Sequence, residues 1–295
     1  MKQNGSHYGI YFWLTIVTFV VPFFVAYRAF EKIAPTTKPV PQPDASGVDH
    51  NLWDYLLKSY VENGLIDYEG IKRDYLFKIY LQQLGAANFD TLANDDEKLA
   101  LHCNAYNAFV INGVINHRIS DSVTDFSHNN LGFFDQKEHL LGNRTLSLNE
   151  LEHQIIRPTY REPRIHMALV CAARSCPAIR AEAYMGDRVR KQLEDQARLF
   201  ANNTRHVRLD PSGKRIQVNS ILKWYGEDWK TAGGYLNWIA QRVESPLLKA
   251  KLLEAAEKKI EVSFLKYDWS LNGQGPHSSY QPQKSEAGSG SIPNE

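Results

Sequence analysis

The chain has 295 residues, 43% of them hydrophobic, which is enough to bury a real core in one large domain or two small ones and excludes a disordered protein. Its 34 Lys and Arg residues offset 33 Asp and Glu, leaving a net charge of +1, so no general electrostatic pull toward nucleic acid exists. Three cysteines are an odd count, too sparse for a disulfide framework, and they do not reveal the compartment.

After a flank at residues 1–8, the run from Gly9 to Tyr27 carries no charge and approaches the roughly 20 residues that span a bilayer core as a helix. We expect a transmembrane anchor over 9–29. Pro22 is tolerated in lipid, and Tyr8, Tyr11, Trp13 and Tyr27 lie near the ends of the run, where aromatic rings favour the interface. A cleaved signal peptide would need a shorter apolar core and small residues two apart before the cut; Ala26 and Ala29 are wrongly spaced. Lys2 on one side and Arg28, Lys32 and Lys38 with Glu31 on the other leave the orientation open. Residues 30–49 read as a proline-rich, extended linker. Residues 272–295, rich in Gly, Ser, Pro and Gln, read as a disordered tail.

Between 50 and 271 no break in composition marks a linker, so we expect one globular domain. Trp53, Leu56, Leu57 and Tyr60, then Leu76, Ile79, Tyr80 and Leu84, recur at helical spacing. The run from Glu97 to Val114 is apolar on nearly every side in its second half, as in a helix buried in the core. Asn104 and Asn107 are then expected to be buried too. Ser147 and Glu150 form a capping box at the start of LNELEHQIIR, with Leu148, Leu151, Ile155 and Ile156 as its apolar stripe. Glu152 lies on that stripe, and a carboxylate facing the core needs an explanation. Ile165 to Cys171, IHMALVC, suits a strand buried on both faces. Residues 206–209 and 215–218 flank Asp210-Pro-Ser-Gly, the pattern of a hairpin. Segments around Ile221–Trp224 and Gly234–Val243 look helical, and the tryptophans 224, 229 and 238 read as core. The fold class is α+β: a helix-rich single domain with a small antiparallel or mixed sheet.

The stretch RIHMALVCAARSCP, Arg164 to Pro177, carries the chemistry. With Pro177 at the first position of a helix, Cys176 would be its N-cap, where free N–H groups and the helix dipole favour a thiolate. Arg174 would act in the same sense. A thiolate with an imidazole oriented by a carboxylate attacks carbonyls, and His166 and Glu152 are the partners at hand, with His153 or His139 as substitutes. Extended chain would carry His166 about 30 Å from Cys176, so the chain must turn back sharply through Ala172, Ala173 and Ser175. Each of these residues also has a structural reading: Cys171 and Cys103 as small buried hydrophobes, Glu152 as a partner for Arg157, His166 as a hydrogen-bonded core residue, and Asn104 and Asn107 as backbone partners. The spacing of His166, Cys171 and Cys176 lacks the paired ligand pattern of a zinc site. No phosphate-cradling loop, nucleophile elbow or dinucleotide fingerprint is present, so no cofactor is expected.

Five stretches, namely WDYLLKSYVENGLIDY (Trp53 to Tyr68), NAYNAFVINGV (Asn104 to Val114), LSLNELEHQIIR (Leu146 to Arg157), RIHMALVCAARSCP and ILKWYGEDW (Ile221 to Trp229), resemble the domain-of-unknown-function 547 family of bacteria and plants. Relatives commonly have a tryptophan and an aliphatic residue where this chain has His102 and Cys103. The resemblance implies export or lipid anchoring, and hence an extracytoplasmic domain, periplasmic or extracellular. It aligns Glu152, His166 and Cys176 with the family's motif positions, a constellation similar to papain-like and transglutaminase-like sites. The expectation is therefore a membrane-anchored cysteine hydrolase or acyl transferase acting on an amide or peptide-type bond. Its site is Cys176, His166 and Glu152, supported by Asn104, Asn107 and Arg174. A non-catalytic binding or scaffolding module with structural Cys and His is the alternative. The partners are the membrane and an unidentified substrate or protein, with no nucleic acid.

Overall fold

The computed structural model describes residues 42–275. The anchor expected over 9–29 and most of the tail lie outside those residues. Among the described residues, no helix is long and apolar enough to cross a membrane.

The architecture is α+β, with helices predominating over small sheets. Asp49 caps the helix His50–Tyr60 by accepting from two backbone N–H groups, and this helix buries Leu52, Trp53, Leu56 and Leu57. Trp53 stacks on Tyr80 of the helix Tyr75–Gly85, their ring centroids 5.2 Å apart and their planes nearly parallel. The fold starts earlier than His50: Val48 is fully buried, and the Ser46 carbonyl accepts from the Asn88 N–H.

The helix Asp95–Asn116 runs through the first core. Asn94 caps it, Asp95, Asp96 and Glu97 oppose its dipole in the first turn, and each residue from Leu99 to Ile111 is buried. The capping box forms as expected, with Glu150 N–H donating to Ser147 Oγ at 3.1 Å and Ser147 N–H donating to Glu150 Oε2 at 3.0 Å. The next turns, Glu150–Ile156, are wound wide as a π-helix before Arg157–Tyr160 closes to a regular helix. Pro158, which has no N–H to return to the preceding turn, follows directly. Such widened turns recur at functional sites, and this one carries Glu152.

The expected strand Ile165–Cys171 does not form. Pro163–Met167 is a 3-10 turn capped by Glu162, and the chain from Ala168 onward is irregular. Asn107 supplies what a neighbouring strand would have supplied: its Nδ2 donates to the Ala168 carbonyl at 3.0 Å, and its Oδ1 accepts from the Val170 N–H at 3.0 Å. A continuous apolar run reports burial and not conformation, and here a side-chain amide meets the backbone's hydrogen-bonding requirement.

The hairpin forms as expected. Val207–Leu209 pairs antiparallel with Arg215–Val218, in the register Val207↔Val218 and Leu209↔Ile216, and Gly213 takes φ 69° in the turn. A third strand, Glu261–Phe264, adds parallel to Arg215–Val218 and makes the sheet mixed. This sheet, with the helices Val189–Ala201, Tyr235–Ala240 and Pro246–Ala256, surrounds a second core built on Phe200, Ile216, Trp229, Trp238 and Leu252. The C-terminal boundary also shifts. Asn272 N–H donates to the Ala172 carbonyl at 3.0 Å and Gln274 N–H to the Ile66 carbonyl at 2.9 Å, so ordered pairing continues three residues past Leu271.

Candidate functional site

A cavity of about 150 Å³ lies where the two cores adjoin, with Tyr106, Leu169 and Cys176 from the first and Ile221 from the second in its wall. That volume accepts roughly one benzene-sized group. Glu152, His166 and Cys176 all line it, joined by Cys171, Tyr225 and Tyr267, with Trp224 and Trp269 beside them.

The two sulfurs are brought together by a sharp reversal. Ala172 takes the left-handed conformation at φ 61°, uncommon for a residue with a Cβ, and Cys176 N–H then donates to the Ala173 carbonyl at 3.1 Å. Cys176 is therefore at the end of a tight turn and not at a helix N-cap, since residues 177–180 are not helical. The reversal is held from outside. Arg174 N–H donates to the Ser270 carbonyl and Ser175 N–H to the Asp268 carbonyl, at 2.9 and 3.1 Å, and Asn219 Nδ2 donates to the Ser175 carbonyl at 2.8 Å. As a result Cys171 Sγ and Cys176 Sγ stand 2.8 Å apart, the Cys171 N–H donates to Cys176 Sγ at 2.9 Å, and the Tyr267 hydroxyl is 3.1 Å from Cys171 Sγ.

Burial raises both thiols, but the hydrogen bonds divide them. Against that burial, hydrogen bonding with Cys176, with the Tyr267 hydroxyl and with the backbone at Ala173 brings Cys171 below its ordinary value. Cys176 is held well above its own by burial and by the neighbouring sulfur. Of the two sulfurs, Cys171 is therefore the one that loses its proton more easily.

His166 is 3% exposed, so every contact it makes is set by the protein. Its Nε2 lies 2.8 Å from Asp228 Oδ2 and its Nδ1 is 3.9 Å from Glu152 Oε1, while Tyr225 stacks on the ring at 3.9 Å between centroids. The hydrogen bond from His166 holds the Asp228 carboxyl well below the usual carboxylate range, against its partial burial and with help from Arg157. Arg157 grips the same carboxylate with two hydrogen bonds, Nε to Oδ2 at 2.8 Å and Nη2 to Oδ1 at 2.9 Å. An ionised Asp228 can only accept, so Nε2 carries a ring hydrogen and donates it, while Nδ1 faces Glu152 beyond hydrogen-bond distance. Glu152, 6% exposed, accepts from the Tyr106 hydroxyl at 2.9 Å, and the neighbouring Tyr225 hydroxyl is raised by burial most and then by the charge of Glu152. Among the described residues no hydrogen bond joins His166 to either sulfur.

Residues 89–201, which span the buried helix, the widened turn and the cysteine loop, match the sequence model of a family described as "Protein of unknown function, DUF547". That segment of the chain is similar to the DUF547 family. No curated protein and no solved structure matches it, so the analogy to papain-like and transglutaminase-like sites finds no support there.

The remaining expected site residues separate. Asn104 and Asn107 stay out of the cavity and bind backbone: Asn104 donates to the Tyr184 carbonyl at 2.7 Å and accepts its N–H at 2.9 Å, as Asn107 does for residues 168 and 170. Arg174 does not approach the thiols; it lines a second cavity beside Lys72 and Arg118. His153 bonds Arg157 at 2.9 Å, and His139 is buried against Phe109, so neither substitutes for His166. Glu152 is not the partner of Arg157, which Asp228 occupies. Cys103 is a buried packing residue with its thiol pushed up to about 12 by burial, and His102 beside it, driven down to about 4 by burial, bonds the Tyr160 hydroxyl. Trp229 and Trp238 are core, but Trp224 is 49% exposed and stands at the cavity. Among the described residues no group of three or more His, Cys, Asp or Glu side chains is arranged to hold a metal ion. Sequence reasoning missed Asp228, Tyr225, Tyr267 and the participation of Cys171. Asp228 and Tyr225 lay inside the quoted ILKWYGEDW stretch, and an acidic residue there was the available signal.

Proposed function

We propose that this protein is a cysteine hydrolase or acyl transferase acting on an amide-type bond, its nucleophile supplied by the Cys171–Cys176 pair. What carries the reading is that Glu152, His166 and both sulfurs line one cavity, with the imidazole fixed by Asp228. In the proposed reaction a thiolate of the pair attacks the carbonyl, and His166 Nδ1 moves the proton to the leaving nitrogen once substrate fills the space between ring and sulfur, since such contacts commonly tighten only around substrate. The small cavity suits a short acyl group or one side chain, and the aromatic rings at positions 224, 267 and 269 suit an apolar flank. Asp228, and not Glu152, is the residue that orients the imidazole in this scheme; Glu152, tied to Tyr106, shapes the wall.

We further propose that the domain is tethered by residues 9–29 and faces away from the cytoplasm. The uncharged run and the family resemblance support this reading. Membrane fractionation with and without the residues before Pro35 tests it, and an unchanged distribution overturns it.

For the chemistry, the full-length protein is treated with iodoacetamide across pH and followed by peptide mass mapping, alongside hydrolysis of p-nitrophenyl acetate. The expected result is alkylation of the pair at least ~10-fold faster than a free cysteine near neutral pH. Cys171→Ser and Cys176→Ser should each lower ester hydrolysis by ~10-fold or more, because each sulfur sets the other's proton, and His166→Gln should lower hydrolysis by ~100-fold. Ordinary thiol reactivity together with indifference to His166→Gln would refute the assignment in favour of a structural Cys and His.

A further inference from the structure

The sulfurs of Cys171 and Cys176 are close enough that the same residues pose a second question, about oxidation. At 2.8 Å they need approach by only about 0.8 Å to reach the length of a disulfide bond. They are also already aimed at each other, across a turn whose ends are fastened by residues 268–272 and by Asn219. Cys171 is the more open of the two, half-buried where Cys176 is 6% exposed, and both face the cavity. The third cysteine, Cys103, is buried in another part of the core and has no part in this geometry.

We propose that Cys171 and Cys176 form a reversible dithiol–disulfide site, in which a peroxide oxidises Cys171 and Cys176 resolves the product. The Cys171 thiolate attacks one peroxide oxygen and the O–O bond breaks; the departing hydroxide takes a proton and leaves as water, and Cys171 becomes a sulfenic acid. Cys176 then attacks the Cys171 sulfur, the S–O bond breaks, and the hydroxyl leaves as a second water with the Cys176 proton. Two thiols lose two electrons and two hydrogens, and one hydrogen peroxide becomes two waters. The lower proton affinity of Cys171 agrees with its reacting first, because the thiolate is the attacking form. The Tyr267 hydroxyl, 3.1 Å from Cys171 Sγ, is placed to hydrogen-bond that thiolate. A dithiol reductant reverses the bond by exchange. A consequence that rests on the proposed hydrolase reading is that the disulfide removes its nucleophile and turns the enzyme off; bond formation itself does not depend on that reading.

The test treats reduced full-length protein with a few equivalents of hydrogen peroxide, blocks free thiols, and maps peptides by mass without reductant. The expected product is the peptide containing both residues 171 and 176 lighter by two hydrogen atoms, with Cys103 unmodified and the loss restored by dithiothreitol. In Cys176→Ser the reaction should stop at a Cys171 sulfenic acid captured by dimedone, and in Cys171→Ser peroxide consumption should fall at least ~10-fold. Because the first measurement is made on the natural protein, misfolding of a variant cannot mask the answer. Oxidation of Cys171 onward to sulfinic acid with no linked peptide, or a linked peptide that contains Cys103, would overturn the proposal. Peroxide-sensitive, dithiothreitol-restored p-nitrophenyl acetate hydrolysis supports the off-switch. A linked peptide in a protein with no hydrolysis at all would refute the hydrolase and leave the redox site standing.

Discussion

Replacing Asn107 with alanine separates a backbone staple from a substrate-orienting amide. The Asn107 side chain makes two buried hydrogen bonds, to the Ala168 carbonyl and from the Val170 N–H, each at 3.0 Å, and Asn107 itself is 3% exposed. Alanine leaves both backbone groups without a partner in a dry setting. Each orphaned group costs about 1–3 kcal/mol, and the vacated amide volume adds to this, so we expect a loss of about 3–4 kcal/mol. With a urea dependence of about 2.5 kcal/mol per molar, the unfolding midpoint should fall by about 1.5 M with an unchanged slope. The assay is tryptophan fluorescence during urea titration, with Asn116→Ala at the exposed end of the same helix as the control, expected within about 0.5 kcal/mol of the natural protein. Because residues 168–170 lead directly into Cys171, iodoacetamide labelling of the thiol pair should slow in the same variant. A midpoint shift below about 0.3 M would mean that the two backbone groups find other partners, and the argument that Asn107 replaces a strand neighbour would fail.

Three further outcomes follow from the same geometry. The depressed Asp228 carboxyl stabilises the fold fully above the ordinary carboxylate value, and that contribution is lost as pH falls from there through the depressed value; Asp228→Asn should flatten the acid side of a melting-temperature profile, and an unchanged profile refutes the linkage. His206 is driven down to about 3 by burial, with Arg205 adding to it, so between that value and about 6.5 the unfolded chain binds a proton that the folded chain does not, and stability falls as pH falls. His206→Phe keeps the stack on Phe200 and should reduce the slope of unfolding free energy between pH 4 and 6 by about 1.4 kcal/mol per unit; an equal slope counts against it. Trp224→Ala at the cavity edge should change stability by less than about 1 kcal/mol yet raise KM for an aromatic ester several-fold, and a KM equal to that of the natural protein would remove Trp224 from the substrate's path.

Much of the helical framework could be read before any coordinates. Hydrophobic spacing located the helices at His50–Tyr60, Tyr75–Gly85 and Asp95–Asn116, and the Ser147–Glu150 box and the Asp210–Gly213 turn each carry their own local chemistry, which tertiary contacts did not override. The three residues proposed from patterning, Glu152, His166 and Cys176, do reach one cavity. Glu152 was legible because a carboxylate on an apolar stripe has few explanations, all of them involving a buried partner. The run IHMALVC misled, because its backbone partner is an amide 61 residues away, and no local pattern distinguishes a strand neighbour from an asparagine.

The rest of the site depends on contacts that sequence spacing does not encode. Tyr267 reaches Cys171 across 96 positions from a stretch with no periodicity, and Asp228 reaches His166 across 62 from a short helical turn that looked like core. These distant groups change the chemistry assigned to nearby residues. Read alone, Cys171 is a small hydrophobe ending an apolar run; beside Tyr267 and Cys176 it becomes the more acidic member of a thiol pair. Read alone, Cys176 before a proline is a helix-capping thiolate; the αL turn at Ala172 places it instead as a buried sulfur whose reactivity depends on its neighbour. The character of the pair, including any sensitivity to oxidation, is therefore a property of the closed loop and the segment 268–272 that fastens it, so changes in that segment should alter thiol reactivity without touching either cysteine.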